Sequence, residues 1–139
     1  MNRYLVSGVC VGAVMLFSCT TEPCGCPPAR TLLVVSGTVV DPDQTPVEAA
    51  RIDFGEQRTG PCAPTTDIDP EWASLYGYAT TDAAGTFVAD LYDGRNGEQC
   101  LIVTAVAGGD TARAWGAAEF RSEIESPDTL HVALTLGGD

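Results

Sequence analysis

Thr81-Asp82-Ala83-Ala84-Gly85-Thr86-Phe87-Val88-Ala89-Asp90-Leu91-Tyr92 is the stretch from which the fold follows. Asp82 to Gly85 is turn chemistry: an aspartate side chain can cap nearby backbone, and a glycine can take positive φ. Beyond it, Phe87, Ala89 and Leu91 share one face of a period-two pattern, which marks a strand with Phe87 in the core. These residues are structural, and Asp82 is not expected to be a site. Strand character also precedes the turn, over Leu75–Thr81.

The same alternation of strands and turns continues on both sides. Leu32–Val40 is rich in β-branched residues. Asp41-Pro42-Asp43-Gln44-Thr45-Pro46 is a turn, and Val47–Phe54 follows, with Ala50, Ile52 and Phe54 alternating with Arg51 and Asp53. Cys100–Ala107 is nearly all apolar, as expected of a central strand covered on both faces. Trp115–Phe120 and Leu130–Leu136 complete the set. Ala112–Ile124 has some helical propensity, but Gly116 interrupts it, so a strand is expected there too. About seven short strands with frequent turn signals predict an all-β fold, an antiparallel β-sandwich. Gly55–Ser74, with Pro61, Pro64 and Pro70, stands out as a long irregular insert.

Three motifs in order carry a resemblance to a family. Ser36-Gly37-Thr38-Val39-Val40-Asp41 leads through Thr45-Pro46-Val47-Glu48-Ala49-Ala50-Arg51-Ile52. Thr81-Asp82-Ala83-Ala84-Gly85-Thr86-Phe87 is the second motif, and Leu101-Ile102-Val103-Thr104-Ala105-Val106-Ala107-Gly108 the third. Together, over about residues 34–136, the chain resembles carboxypeptidase regulatory-like domains, which implies a transthyretin-like (prealbumin-like) sandwich. The long insert, and Asp43-Gln44-Thr45 in place of the family's frequent glycine, are departures from the pattern.

At the other end, Arg3 is followed by an apolar stretch from Leu5 to Phe17, and Leu16-Phe17-Ser18-Cys19 resembles the lipobox of bacterial lipoproteins. The apolar stretch is shorter than the roughly 20 residues a membrane-spanning helix needs. The resemblance implies cleavage before Cys19, a diacylglyceryl thioether on its sulfur and an acyl group such as palmitate on its amine. Two or more chains hold a protein firmly at a membrane. Phe17 is bulkier than the family's usual residue there. The expected organisation is a lipoprotein signal peptide over 1–18, a tether over 19–31 and a sandwich over 32–139. Thr20, where aspartate would signal inner-membrane retention in some bacteria, points to the outer membrane of an envelope that has one.

Seven arginines, no lysine and 19 acidic residues give a net charge of −12. Such a balance argues against a nucleic-acid partner and against electrostatic docking on anionic lipid. Of six cysteines, Cys10 leaves with the leader and Cys19 is the lipidation site. Cys24, Cys26, Cys62 and Cys100 remain, an even number in an exported chain, which suggests disulfides. Cys62 with Cys100 is the expected pair, because both lie inside the folded region at strand edges. The pairing of Cys24 and Cys26 stays open. One Cys-x-Cys with scattered partners is a poor zinc pattern.

Catalytic constellations do not stand out. His131 is the single histidine, on the face of its strand opposite Leu130 and Val132, and no serine stands in a nucleophile motif. Transthyretin-like hydrolases of purine breakdown use several histidines and a C-terminal Tyr-Arg-Gly-Ser, absent here. Intradiol dioxygenases share a similar sandwich but hold iron with two tyrosines and two histidines. The chain is therefore expected not to be an enzyme and to need no cofactor. The insert is the candidate ligand surface. Asp67, Asp69 and Glu71 are spaced as possible calcium ligands, although a solvated acidic loop explains them as well. Trp72, Tyr76 and Tyr78 are candidates for stacking on sugar rings. The expected role is a membrane-anchored, non-catalytic binding or scaffolding module with an envelope protein or glycan as partner. The alternatives are a carbohydrate-binding module using Trp72, Tyr76 and Tyr78, and a small hydrolase using the acidic insert.

Overall fold

The computed structural model describes residues 30–122 and 124–137. The expectations for the signal peptide, Cys19, Cys24 and Cys26 lie outside the described residues. Among these residues there is no helix, and none therefore long enough to cross a membrane. The fold is all-β, as expected. Seven strands make it: β1 Thr31–Val40, β2 Arg51–Glu56, β3 Tyr78–Thr80, β4 Thr86–Asp93, β5 Gly97–Ala107, β6 Asp110–Ser122 and β7 Asp128–Thr135.

The strands follow the order β3-β2-β5-β6-β1-β4, with β7 on β1. One layer is β3-β2-β5-β6 and the other is β4-β1-β7, and β6 joins them where Thr31 and Leu32 pair with Ser122 and Arg121. Inward residues of both layers interdigitate: Leu33, Val35 and Val39 of β1 meet Ile52, Phe54, Leu101, Val103 and Phe120, all fully buried or nearly so. The stretch after the Asp82 turn behaves as read. Phe87 and Leu91 are buried, Val88 and Asp90 are exposed, and Phe87 packs against Phe54 with ring centroids 6.0 Å apart.

Three local expectations need correction. Val47–Ala50 is not strand: Val47 N–H bonds back to the Val39 carbonyl, and Ala49 has φ 56 while its N–H reaches the Thr81 carbonyl. Here the chain crosses from one layer to the other, and a left-handed residue cannot continue an extended ladder. Leu75–Gly77 is likewise turn, leaving only Tyr78–Thr80 as strand. Finally, the sandwich is not wholly antiparallel, because β7 runs parallel to β1 in the register Ser36 to His131. β6 runs antiparallel to β1, so the reversal after Ser122 sends β7 back in the direction of β1.

β5 is covered on both faces only around Ile102; farther along its second face Thr104 is half-buried and Val106 exposed, so that part of the expectation is corrected. Leu101, Val103 and Ala105 face the core, while Ile102, on the other face, is only 2% exposed. The insert supplies that second cover. Its return leg extends the edge of β2, with Glu56 N–H bonded to the Trp72 carbonyl and Tyr76 N–H to the Phe54 carbonyl. Gly55 is pressed against the Trp72 and Ala73 backbone, where a Cβ would have no room. Cys62 and Cys100 form a disulfide, with Cα atoms 5.4 Å apart, that pins the outward leg to β5. Closing a loop over a separation of 38 residues contributes about 4 kcal/mol in the chain-entropy picture.

Candidate functional site

The end of the sandwich where β1 begins gathers most of the buried charge. Glu56 closes β2 and is 4% exposed. Arg95, from the β4–β5 turn, grips it with Nη1 at 3.2 Å and Nη2 at 2.7 Å, a fork on a carboxylate. The same guanidinium also donates to Asp93 Oδ2 at 2.7 Å. Arg58 adds a longer contact to Glu56 at 3.5 Å, and its guanidinium lies 3.5 Å above the Trp72 ring. Tyr76 places its hydroxyl 2.9 Å from Asp93 Oδ2 and 3.1 Å from Glu56 Oε2, and accepts a hydrogen bond from Arg95 Nη2 at 3.1 Å. Its single proton serves one carboxylate at a time.

Electrostatics fix the protonation of this cluster. Burial pushes Glu56 up, but hydrogen bonds from Arg95 and Tyr76 and the charges of Arg95 and Arg58 outweigh it and hold the carboxyl below its usual range. Asp93 follows the same pattern, burial opposing and Arg95 and Tyr76 prevailing. Burial first, then bonding to Asp93, raises the Tyr76 phenol. The bonds to Glu56 and Asp93 raise Arg95. At neutral pH the cluster is thus two carboxylates, two guanidiniums and a neutral phenol. Beside it opens a cleft of about 430 Å³, walled by Arg30, Arg58, Arg95, Tyr92 and Leu75. Thr31, the first residue of β1, is buried here, its hydroxyl 2.8 Å from the carbonyls of both Asp93 and Arg95. The cluster therefore also fastens the point where the chain enters the sandwich.

The sequence candidates are placed apart. Asp67, Asp69 and Glu71 are exposed, and Asp69 Oδ1 is spent on the Glu71 N–H at 3.0 Å. Among the described residues no three His, Cys, Asp or Glu side chains are grouped to hold a metal ion. Trp72, Tyr76 and Tyr78 line no common cleft. Trp72 is covered by Arg58, Tyr76 belongs to the charge cluster, and Tyr78 carries Arg51 at 4.4 Å over its ring. His131 is exposed as expected, and its Nδ1 lies 2.6 Å from Ser36 Oγ. That pair escapes sequence reading because only the parallel β1–β7 register joins residues so distant in the chain. Glu56 was missed for the same reason: Asp93 and Arg95, neighbours at the β4–β5 turn, meet it across 37 and 39 residues of chain, and only the fold brings them together.

A second opening, about 680 Å³, lies at the other end, between β6, β7 and the tip of the insert. It is lined by Thr65, Thr66, Thr111, Arg113, Trp115 and Thr135 among others.

No known protein family and no curated protein matches this chain. Solved structures of similar shape include chlorocatechol 1,2-dioxygenase from Pseudomonas putida, at 10% identity and TM-score 0.48, covering 77% of this chain and 60% of that one. Another is 3-chlorocatechol 1,2-dioxygenase from Rhodococcus opacus, at 13% identity and TM-score 0.44, covering 76% and 59%. A third is the dioxygenase domain of a dioxygenase carbohydrate-binding protein fusion from the cellulolytic bacterium Streptomyces sp. SirexAA-E, at 20% identity and TM-score 0.42, covering 83% and 84%. The chain spans about three-fifths of the length of the two catechol dioxygenases. This finding corrects the expectation that the chain is not an enzyme: its neighbours in shape are enzymes, so absence of catalysis cannot be read from such a sandwich. At these identities the likeness concerns the path of the chain and transfers no activity. An iron site of two tyrosines and two histidines does not fit the residues present, since His131 is the single histidine and is bonded to Ser36 on an exposed sheet face.

Proposed function

We propose that the chain is a lipid-anchored protein of the bacterial envelope, in which a carboxypeptidase regulatory-like sandwich serves as a binding or scaffolding module. The observation that carries this reading is Leu16-Phe17-Ser18-Cys19 placed eleven residues before Arg30, where the sandwich begins. Those residues reach at most about 40 Å when extended. The sandwich would thus stand close to the membrane, with its Glu56–Arg95 end facing inward. The seating of Thr31 supports it further, because a tether pulling on β1 pulls on a residue held by two carbonyls and a buried ion cluster. Partners would be an envelope protein or glycan. The test is palmitate labelling and fractionation of cells expressing the full chain and its Cys19→Ser variant. The expected result is label and membrane association for the parent and loss of both in the variant. Equal fractionation of the two would defeat the anchor.

A further inference from the structure

We infer that the cleft between β6, β7 and the insert tip binds a sugar acid, a hydroxyl-rich ligand bearing a carboxylate. Four observations combine. First, the cleft arises from how the two layers part. At Gly116 the Leu130 side chain fills the space so closely that a Cβ would lie 2.6 Å from it. Toward Thr111 and Thr135 the inward face of β7 continues through Val132 and Leu134, and beside Leu134, between β6, β7 and the insert tip, about 680 Å³ opens.

Second, Arg113 on its wall is uncommitted. Arg51, Arg58, Arg95 and Arg121 each pair with a carboxylate. Arg113 has no such partner among the described residues, although acids outnumber arginines 19 to seven. The neighbouring carboxylate across the sheet, Asp53, is taken by Arg51 at 2.9 Å. An exposed guanidinium left unpaired in so acidic a chain is a fork for a planar carboxylate from outside.

Third, the rest of the lining suits a polyol. Thr65 and Thr66 come from the insert, Thr111 from β6 and Thr135 from β7, so four threonines interleave with the apolar Pro64, Ala112, Ala133 and Leu134, and the Thr65 hydroxyl, which accepts the Asp67 N–H, keeps its proton to donate. Fourth, Trp115 adds an indole to the wall. The rings of Trp72 and Tyr78 carry guanidiniums, and that of Trp115 does not. Its Nε1 is buried without a partner, so the ring offers carbon surface to a ligand and not its N–H.

The position agrees with a recognition site. Thr135 pairs with Val40, at the end of β1 opposite Thr31, about 30 Å along the strand. The cleft therefore faces away from the proposed anchor. Only this direction rests on the anchored reading, and a failure of the Cys19→Ser experiment would leave the binding measurement unaffected.

Titration calorimetry and tryptophan fluorescence on the full chain, with digalacturonate and neutral digalactose as probes, test the assignment. Digalacturonate should bind saturably, digalactose at least tenfold more weakly. Arg113→Gln should lose at least tenfold in digalacturonate affinity at unchanged thermal stability, since the residue is exposed and holds nothing. Trp115→Phe should remove the fluorescence response. No saturable binding, equal binding of the neutral sugar, or full affinity in Arg113→Gln would overturn the proposal. So would displacement of digalacturonate by an equal concentration of inorganic phosphate, because the guanidinium would then be reading charge alone.

Discussion

Glu56 shows how one residue can be costly and indispensable together. Its side chain is 3% exposed, so its charge must be met inside the protein. Arg95 meets it, while remaining 42% exposed itself. Arg95→Ala should therefore cost about 2–3 kcal/mol, less than a fully buried pair because solvent screens the arginine. The loss can be checked by urea unfolding at pH 7. The pH dependence has a definite sign. Glu56 and Asp93 are both depressed in the folded state, so their contribution is present above the unfolded carboxylate values, near about 4, and is lost as pH falls through the folded values. The difference in stability between parent and Arg95→Ala should accordingly shrink as pH is lowered from 7 to 3. A constant difference would mean that Arg95 acts by packing alone. Gly37 is the second decisive residue. A Cβ there would run into Val132 and come within 2.8 Å of the Phe87 ring. Gly37→Ala should destabilise by about 1–3 kcal/mol through overpacking, measurable in the same unfolding experiment.

At the scale of elements, the insert behaves as a folded cover, although its composition reads as an irregular loop. Its prolines and acids face water, yet the insert, held by the disulfide and by its ladder to β2, covers Ile102 on the second face of β5. Replacing Cys62 and Cys100 by alanine should remove about 4 kcal/mol by freeing the unfolded loop. It should also speed amide exchange at Gln57 and Glu56, whose N–H groups bond to the Cys100 and Trp72 carbonyls. Stability unchanged in the double variant would show that the ladder to β2 holds the insert alone. The strands themselves were largely legible. Period-two patterns at Phe87–Leu91 and Leu130–Leu136 appear as alternating burial in β4 and β7. Val47–Ala50 was misread because apolar alternation cannot reveal the φ of 56 at Ala49, which the crossing between layers imposes.

For the whole molecule, the two ends of the sandwich differ in chemistry. The end where β1 begins holds a self-neutralised ion cluster, and the opposite end leaves Arg113 unpaired beside a cleft. Among the described residues four arginines of this acidic chain are spent on internal pairs, and Arg113, like Arg30 at the other end, is left without one. By itself the amino-acid sequence determined the all-β class, most strand positions, the Asp82–Gly85 turn and the Cys62–Cys100 pair. These depend on side-chain period, turn residues and redox logic, which act over a few neighbours. The tertiary structure alone decided the parallel β1–β7 pairing, the meeting of Glu56, Tyr76, Asp93 and Arg95, the Ser36–His131 contact and the cleft at Arg113. Each of these joins segments far apart in the chain, and such contacts are set by register and layer geometry that no local pattern encodes.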